Sequence, residues 1–199
     1  VCPMRVPVPQ ILALFTAAAL LAGNAAMVAQ SLPTTQPKLV QIFRERIKPG
    51  RSAAHKVTEA GWPEAFAQAK SPDYYLAMES MTGAPEVWFV GPQESYSAWG
   101  KAMERDATNS TLSAALERLS AADGEHLEGM DVLEAVAAPE LGHGAFPDLN
   151  KQRFWNLTIW RIRPGHDANF VATHAAYAKI ATKAAPNASW RTYRVTGGM

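Results

Sequence analysis

The sequence predicts an α+β protein in which helices cover one face of an antiparallel sheet. The apolar residues change between a period of 2, typical of strands, and a period of 3.6, typical of helices. Pro-Gly and Gly-Pro pairs separate these segments, and the segments follow the order strand, helix, strand, strand, helix, strand. With 48% hydrophobic and 19% charged residues among 199, the composition is that of a globular chain.

Residues 1–30 have the pattern of a secretory signal peptide. Arg5 precedes an uninterrupted apolar run from Ile11 to Gly23, and small residues follow. This run is shorter than the roughly 20 apolar residues that a membrane-spanning helix needs, although a permanent anchor is the alternative. We therefore expect cleavage between Ala25 and Ser31 and a secreted or periplasmic mature protein without a stable membrane anchor.

The predicted mature chain is electrically balanced and has no cysteine. Removal of Arg5 from the 19 basic residues leaves 18 against 18 acidic ones, and the only cysteine, Cys2, is removed with it. Nucleic acids and anionic membranes attract a basic surplus, so neither is an expected partner. Disulfides, a thiolate nucleophile and a cysteine metal ligand are excluded as well.

The first complete set of elements is predicted in residues 31–138. The stretch 39–48 is rich in branched and aromatic side chains and ends at Pro49-Gly50, so it predicts a strand closed by a turn. The alanine-rich stretch 51–70 predicts a helix that is interrupted near Gly61-Trp62-Pro63, because proline removes a backbone donor and clashes with the preceding turn.

The remaining elements of this set follow from the same two periodicities. Gly91-Pro92 is expected to end the second strand of a hairpin, and Tyr96, Trp99 and Met103 recur at helical spacing behind it. The predicted order is a strand over 74–81, a strand over 86–90, a helix from 94 to 106, a helix over 110–128, a strand over 130–138 and a Pro/Gly-rich linker over 139–152.

This order is the split βαβ arrangement of a ferredoxin-like domain, whose helices lie on one face of the sheet. The other face is predicted to be apolar enough that a lone domain would expose a sizeable patch. We therefore expect it to be buried, with self-association through this sheet face as one possibility.

A second copy is predicted over residues 153–199. The stretch RIRPG at 161–165 repeats RIKPG at 46–50, and an alanine-rich stretch follows both; a chance Pro-Gly turn is the alternative. The copy would contain an opening strand, a helix and a hairpin strand. It would stop roughly 60 to 90 residues short of completion, which leaves its last strand with an unpaired edge.

The segments FRERIKPG, IWRIRPG and VWFVGPQESYSAW resemble the dimeric α/β-barrel superfamily over residues 39–199. Its members include stress-responsive proteins, haem-degrading enzymes and cofactor-independent, antibiotic-biosynthesis-monooxygenase-like enzymes. The resemblance implies two ferredoxin-like sheets, as a dimer or as tandem copies, with a ligand pocket between sheet and helices. It places Trp99 and Asn156 near a tryptophan and an asparagine of the oxygenase-like members, whereas the histidine that follows their tryptophan is absent here.

His55, Glu59 and Trp62 are spaced so that they share one face of the first helix. The first two could hold a metal ion with a third ligand from elsewhere, or Glu59 could orient the imidazole for proton transfer. A solvated or pocket-lining pair is the interpretation we prefer. The equivalent positions in the second copy keep an aromatic and polar character without that chemistry: Phe170, His174 and Tyr177.

The leading functional expectation is the binding of a small apolar or aromatic molecule, because tryptophans that do not fill a core can line such a pocket. The predicted lining residues are His55, Glu59, Trp62, Trp99, Asn156, Trp160, His174 and Tyr177. No cofactor and no metal ion are expected. The alternatives are a cofactor-independent oxygenase, in which Trp99 and Asn156 position substrate and dioxygen, and a structural module whose copies only bury each other; no motif decides whether the protein is an enzyme.

Overall fold

The computed structural model describes residues 32–198, so the predicted signal peptide and Cys2 lie outside the described residues. The chain forms a five-stranded antiparallel sheet and five α-helices within this range. In order, the elements are β1 (Leu39–Ile47), α1 (Ser52–Glu59), α2 (Gly61–Gln68), β2 (Leu76–Glu79), β3 (Glu86–Gln93), α3 (Tyr96–Thr108), α4 (Ser110–Gly124), β4 (Leu127–Ala137), α5 (Asp167–Ala184) and β5 (Tyr193–Gly197). Two short 3-10 turns, Pro139–Leu141 and Leu149–Lys151, lie between β4 and α5.

The strands lie in the order β2-β3-β1-β4-β5. β1 is central, because Leu39 pairs with Gln93 of β3 on one side and with Val136 of β4 on the other. The first four strands and their two helical connections therefore form the ferredoxin-like α+β arrangement that the sequence predicts. No helix within residues 32–198 combines the length and the apolar character that crossing a bilayer requires.

β3 runs past the pair Gly91-Pro92, which was predicted to end it. Pro92 pairs with Val40 of β1, whereas the pairing with β2 stops at Val90. At this point β3 is therefore hydrogen-bonded to a neighbouring strand, β1, on only one side. Proline is tolerated at such strand edges, because its missing N–H is not needed there.

The predicted helix interruption is confirmed, since α1 ends at Glu59 and α2 begins at Gly61. Gly61 lies against α4, where an added Cβ would stand 2.6 Å from Leu119 Cδ2. The absence of a side chain at this position allows α4 to pack closely over the junction of α1 and α2. The residues at the end of α1 and the end of α4 consequently face the same space above β1.

The opening strand predicted for the second copy does not form, because residues 152–163 are neither helix nor strand. A strand needs a hydrogen-bonded neighbour, and none of the strands in the described range pairs with this segment. Its large apolar side chains are exposed as a result: Phe154, Trp155, Leu157, Ile159 and Trp160. The helix and the later strand do form, as α5 and β5, and β5 pairs with β4.

The two Pro-Gly turns have the same backbone conformation. Gly50 has a φ of +76° and Gly165 a φ of +82°, a left-handed region in which a side chain is strained. A helix begins two residues after each glycine, at Ser52 and at Asp167. The repeated PG motif therefore marks the same kind of turn before a helix in both places. Only the first of the two turns follows a strand.

The sheet face opposite α1 is charged at one end of β1, as the alternation of residues 39–48 indicates. Arg44 and Arg46 point to this face, because Glu45 between them points to α1 and side chains alternate along a strand. Arg44 donates two hydrogen bonds to Glu86, at 3.0 and 2.6 Å, and Arg46 donates one to Asp131 at 2.5 Å. Two ion pairs thus occupy the charged end of this face.

Candidate metal centre between the sheet and the helices

Four side chains with metal-ligating atoms meet between β1 and the helices. Glu45 comes from β1, His55 and Glu59 come from α1, and Asp123 comes from the last turn of α4. One ligand atom from each residue lies within 4.8 Å of every other. We call these four residues the carboxylate–histidine cluster.

Two members of the cluster occupy positions that local structure does not favour. Glu45 lies on the helix-facing side of a strand, between Phe43 and Ile47, where an apolar side chain is the usual choice. Asp123 stands in the last turn of α4, at the negative end of the helix dipole, where a carboxylate is disfavoured. Natural sequences break such local rules mostly at functional sites.

The cluster is deeply buried. The exposed fractions are 1% for His55, 3% for Asp123 and 7% for Glu45, and the Glu59 side chain is 15% exposed. Carboxylates are almost never buried to this extent without a compensating partner, because removal of the charge from water costs several kcal/mol. The partners within the cluster therefore decide whether it can be charged.

A single imidazole nitrogen faces all three carboxylates. His55 Nε2 lies 2.9 Å from Glu45 Oε2, 3.4 Å from Asp123 Oδ1 and 3.9 Å from Glu59 Oε1. It can make one hydrogen bond at most, and the short distance assigns that bond to Glu45; the tautomer of His55 decides which of the two atoms donates. Asp123 Oδ1 is buried and makes no hydrogen bond within residues 32–198. Asp123 Oδ1 is thus an acceptor without a donor in this geometry, while the Asp123 and Glu59 carboxyls lie close enough to share a proton.

Burial shifts the pKa values of all four groups toward their neutral forms. It raises the pKa of Glu45 from 4.5 to about 7 and that of Glu59 from 4.5 to about 8, the latter with help from the charges of Asp123 and Glu45. Burial, followed by the charge of Glu45, also raises the pKa of Asp123. Burial lowers the pKa of His55, against the opposing charge of Asp123. Without a cation, the cluster therefore retains protons at neutral pH.

Further polar groups surround the cluster. The Trp62 indole N–H favours the charged form of Glu59 and so lowers its pKa, against the larger effect of burial. This contact falls short of a full hydrogen bond, since Trp62 Nε1 is buried without a partner in the described range. His126 Nδ1 is buried and unpartnered as well, and its charge acts on Asp123. Burial raises the pKa of Tyr75 to about 12, assisted by the charges of Glu59 and Glu45.

The ligand set fits a divalent transition metal. Imidazole suits zinc, iron, copper and nickel, and carboxylates suit magnesium, calcium and manganese, so a mixed set favours Mn²⁺, Fe²⁺ or Zn²⁺. Ligand atoms that surround one ion at about 2.0 to 2.2 Å lie about 3 to 4.4 Å from one another. The separations from His55 Nε2 span 2.9 to 3.9 Å, so small side-chain movements suffice to enclose an ion.

The structure brings His55 and Glu59 together on α1, as their helical spacing predicts, whereas Trp62 lies on α2 beyond the break and acts on Glu59 from there. Glu45 and Asp123 escaped the sequence analysis, because neither has a fixed spacing to the helix pair. The available signal was their unfavourable local position: an acidic residue in the inward pattern of a strand and another at the end of a helix. The space in which an apolar pocket was expected thus contains four polar side chains at this point.

The other predicted lining residues lie in different surroundings. The Trp160 ring contacts His174 at 5.5 Å between centroids, and His174 contacts Tyr177 at 6.4 Å, so these three form a separate aromatic group along α5. Trp99 has its ring contact with Tyr96 on α3, at 6.3 Å. Asn156 is exposed in the segment without strand or helix.

No family model matches the chain, and no curated protein matches it. Several solved structures are similar over about half of it. An uncharacterized NIPSNAP domain protein from Burkholderia xenovorans has 20% identity and a TM-score of 0.41, over 50% of this chain and 94% of its own. A NIPSNAP family protein from Agrobacterium tumefaciens has 14% identity and a TM-score of 0.40, over 50% and 92%.

A protein from Chloroflexus aurantiacus, described as a candidate antibiotic biosynthesis monooxygenase, has 15% identity and a TM-score of 0.36. The match covers 54% of this chain and 98% of that one. These similarities concern the fold alone, and they assign no ligand and no activity to this chain.

Proposed function

We propose that this protein binds one divalent transition-metal ion at the carboxylate–histidine cluster. The observation that carries the proposal is the position of His55 Nε2, within 3.9 Å of three buried carboxylates. Three ionised carboxylates exceed the charge that one imidazole can compensate, so the metal-free cluster keeps protons instead. A cation in their midst would supply the missing positive charge.

The contacts favour an ion over a structural hydrogen-bond network. In a network that specifies structure, buried polar atoms find partners, and a partly satisfied network is worse than an apolar core. Here Asp123 Oδ1, Trp62 Nε1 and His126 Nδ1 are all buried without a hydrogen-bond partner in the described part of the chain. A bound ion would coordinate Asp123 Oδ1 directly. It would also hold Glu59 in place beside Trp62, and Asp123 in place beside His126.

The bound ion would act as a Lewis acid or as a structural tie between β1, α1 and α4. This site is polar, so it differs from the small apolar or aromatic ligand expected from the tryptophans, and no contact in the described residues favours an oxygenase role for Trp99 and Asn156. The pattern of residues 1–30 supports the further proposal that the protein is exported and acquires its metal outside the cytoplasm.

The proposal is tested by titration of the chelator-treated protein with Mn²⁺, Zn²⁺, Mg²⁺ and, under anaerobic conditions, Fe²⁺. We expect isothermal calorimetry and native mass spectrometry to show one ion per chain, with Mg²⁺ the weakest because it prefers an all-oxygen octahedral site. The double variant Glu45→Gln/Asp123→Asn should weaken binding at least about a hundredfold, since removal of even outer partners of a metal site costs 10- to 100-fold.

Glu128→Gln is the matched control, because Glu128 is an exposed carboxylate on β4 outside the cluster. Its affinity should equal that of the unsubstituted protein. If a folded protein bound none of the four ions stoichiometrically, or if Glu128→Gln weakened binding as much as the double variant, the cluster would not be a metal site.

A further inference from the structure

A second candidate site, independent of the cluster, lies on the other half of the chain. The 3-10 turn Pro139–Leu141 and the loop that follows it face α5 across a groove of about 470 Å³. That volume falls within the range of about 300 to 1,000 Å³ typical of small-molecule sites. On the α5 side the groove is lined mostly by small side chains: Ala175, Ala178 and Thr182.

The groove is lined by two cations and one carboxylate. Lys179 and Arg191 both line it, and neither forms an ion pair within residues 32–198. The one acidic residue in the lining, Glu140, already pairs with Arg194 at 3.9 Å. Partial burial lowers the pKa of Arg191, as expected for a cation without a carboxylate partner.

Arg191 is held rigidly in this position by the backbone. Its Nη1 donates to the carbonyl oxygens of His143 and Trp190, at 2.7 and 2.6 Å, and its Nη2 donates to that of Gly144 at 2.9 Å. A guanidinium has five N–H donors, so two remain after these three bonds. The cation is thus pre-positioned, and a ligand would not have to order it.

An unsatisfied histidine nitrogen lies at the same groove. His143 lines it, and its ring packs against Trp190 at 4.8 Å between centroids. The backbones of His143 and Trp190 exchange two hydrogen bonds of 3.1 Å, which hold the two residues side by side. Nevertheless, His143 Nε2 is buried without a hydrogen-bond partner in the described range. In the tautomer that carries its proton on Nε2, this nitrogen needs an acceptor, which a ligand in the groove would supply.

We propose that this groove binds a small organic anion through a carboxylate or phosphate group. Lys179, Arg191 and the Nε2–H tautomer of His143 would donate to its oxygens. Charged hydrogen bonds of this kind are the stronger ones in proteins, and Arg and Lys are the usual receptors for such oxyanions. The groove does not depend on the metal site, since it shares no residue with the cluster.

The test is an NMR titration of the ¹⁵N-labelled protein with succinate and, separately, with inorganic phosphate, each against sodium chloride of equal ionic strength. We expect saturable shifts in the amides of 142–144 and 175–182 with one or both anions, and the stronger of the two identifies the preferred group. Lys179→Gln should raise the dissociation constant about tenfold, the effect of losing one charged hydrogen bond. His143→Phe, which keeps the ring against Trp190, should also weaken binding.

Lys183→Gln is the matched control, because Lys183 lies one turn further along α5 and does not line the groove. It should leave the dissociation constant unchanged. Two results would overturn the proposal: shifts no larger than those in sodium chloride, or equal weakening by Lys179→Gln and Lys183→Gln. Either result would mean that the anions respond only to the overall positive charge of the surface and not to a specific site.

Discussion

The metal-free protein should lose stability as the pH rises from 7 to 9. Glu45 and Glu59 have pKa values raised from 4.5 to about 7 and about 8 in the folded state. For a carboxyl with a raised pKa, the folded state binds more protons than the unfolded chain. The contribution to stability is therefore complete at low pH and disappears as the pH passes through the folded-state pKa.

The size of the effect follows from these two pKa values. When both carboxyls are treated as independent, the protons they retain at pH 7 and release by pH 9 correspond to about 2 kcal/mol of unfolding free energy. Asp123 changes in the same direction. His55 acts in the opposite direction, because its pKa is lowered, but only below about pH 6.5, where the unfolded chain gains a proton. Above pH 7 the change in unfolding free energy therefore comes from the carboxyls and not from His55.

Urea unfolding followed by circular dichroism, in EDTA at pH 7, 8 and 9, measures this loss directly. In thermal melts the same change should lower Tm by about 4 to 8 °C for a chain of this size. The variant Glu45→Gln/Glu59→Gln should flatten the dependence, since neither amide titrates. Stability that stays constant or rises between pH 7 and 9 in EDTA would refute the reasoning that burial keeps these carboxyls protonated.

Three further changes should have measurable effects. Saturation with Zn²⁺ or Mn²⁺ at 100 times the dissociation constant should add about 2.7 kcal/mol to the unfolding free energy, and EDTA should reverse the gain in a calorimetric melt; an unchanged Tm would argue against the metal site. Leu112→Ala should cost about 2 to 5 kcal/mol in urea unfolding, because Leu112 is 2% exposed in the core beneath α4; a loss below 1 kcal/mol would mean that this core is loosely packed. Gly144→Ala should destabilise the protein by about 1 to 3 kcal/mol, since Gly144 has a φ of +71° and an added Cβ would collide with the Ala188 carbonyl; Gly100→Ala, where a Cβ meets nothing, should not.

The sequence by itself determined the local elements of the ferredoxin-like domain. The alternation in β1, the break between α1 and α2, and the two Pro-Gly turns all follow from residues close together in the chain. Side-chain period, the missing donor of proline and the left-handed φ of glycine act over a few residues, so they can be recognised in one dimension. For the same reason the helical face shared by His55 and Glu59 could be predicted.

Tertiary structure alone decided which residues join that face and which predicted strand exists. Glu45 and Asp123 reach His55 because β1 lies beneath α1 and because Gly61 allows α4 to pack closely over the junction of α1 and α2. Residues 152–163 carry a strand-like pattern, yet they form no strand, because the pattern describes the side chains while a strand depends on a neighbouring backbone. Burial, which sets the pKa values and the unmet hydrogen bonds of the cluster, is likewise a property of the packed chain and not of any segment.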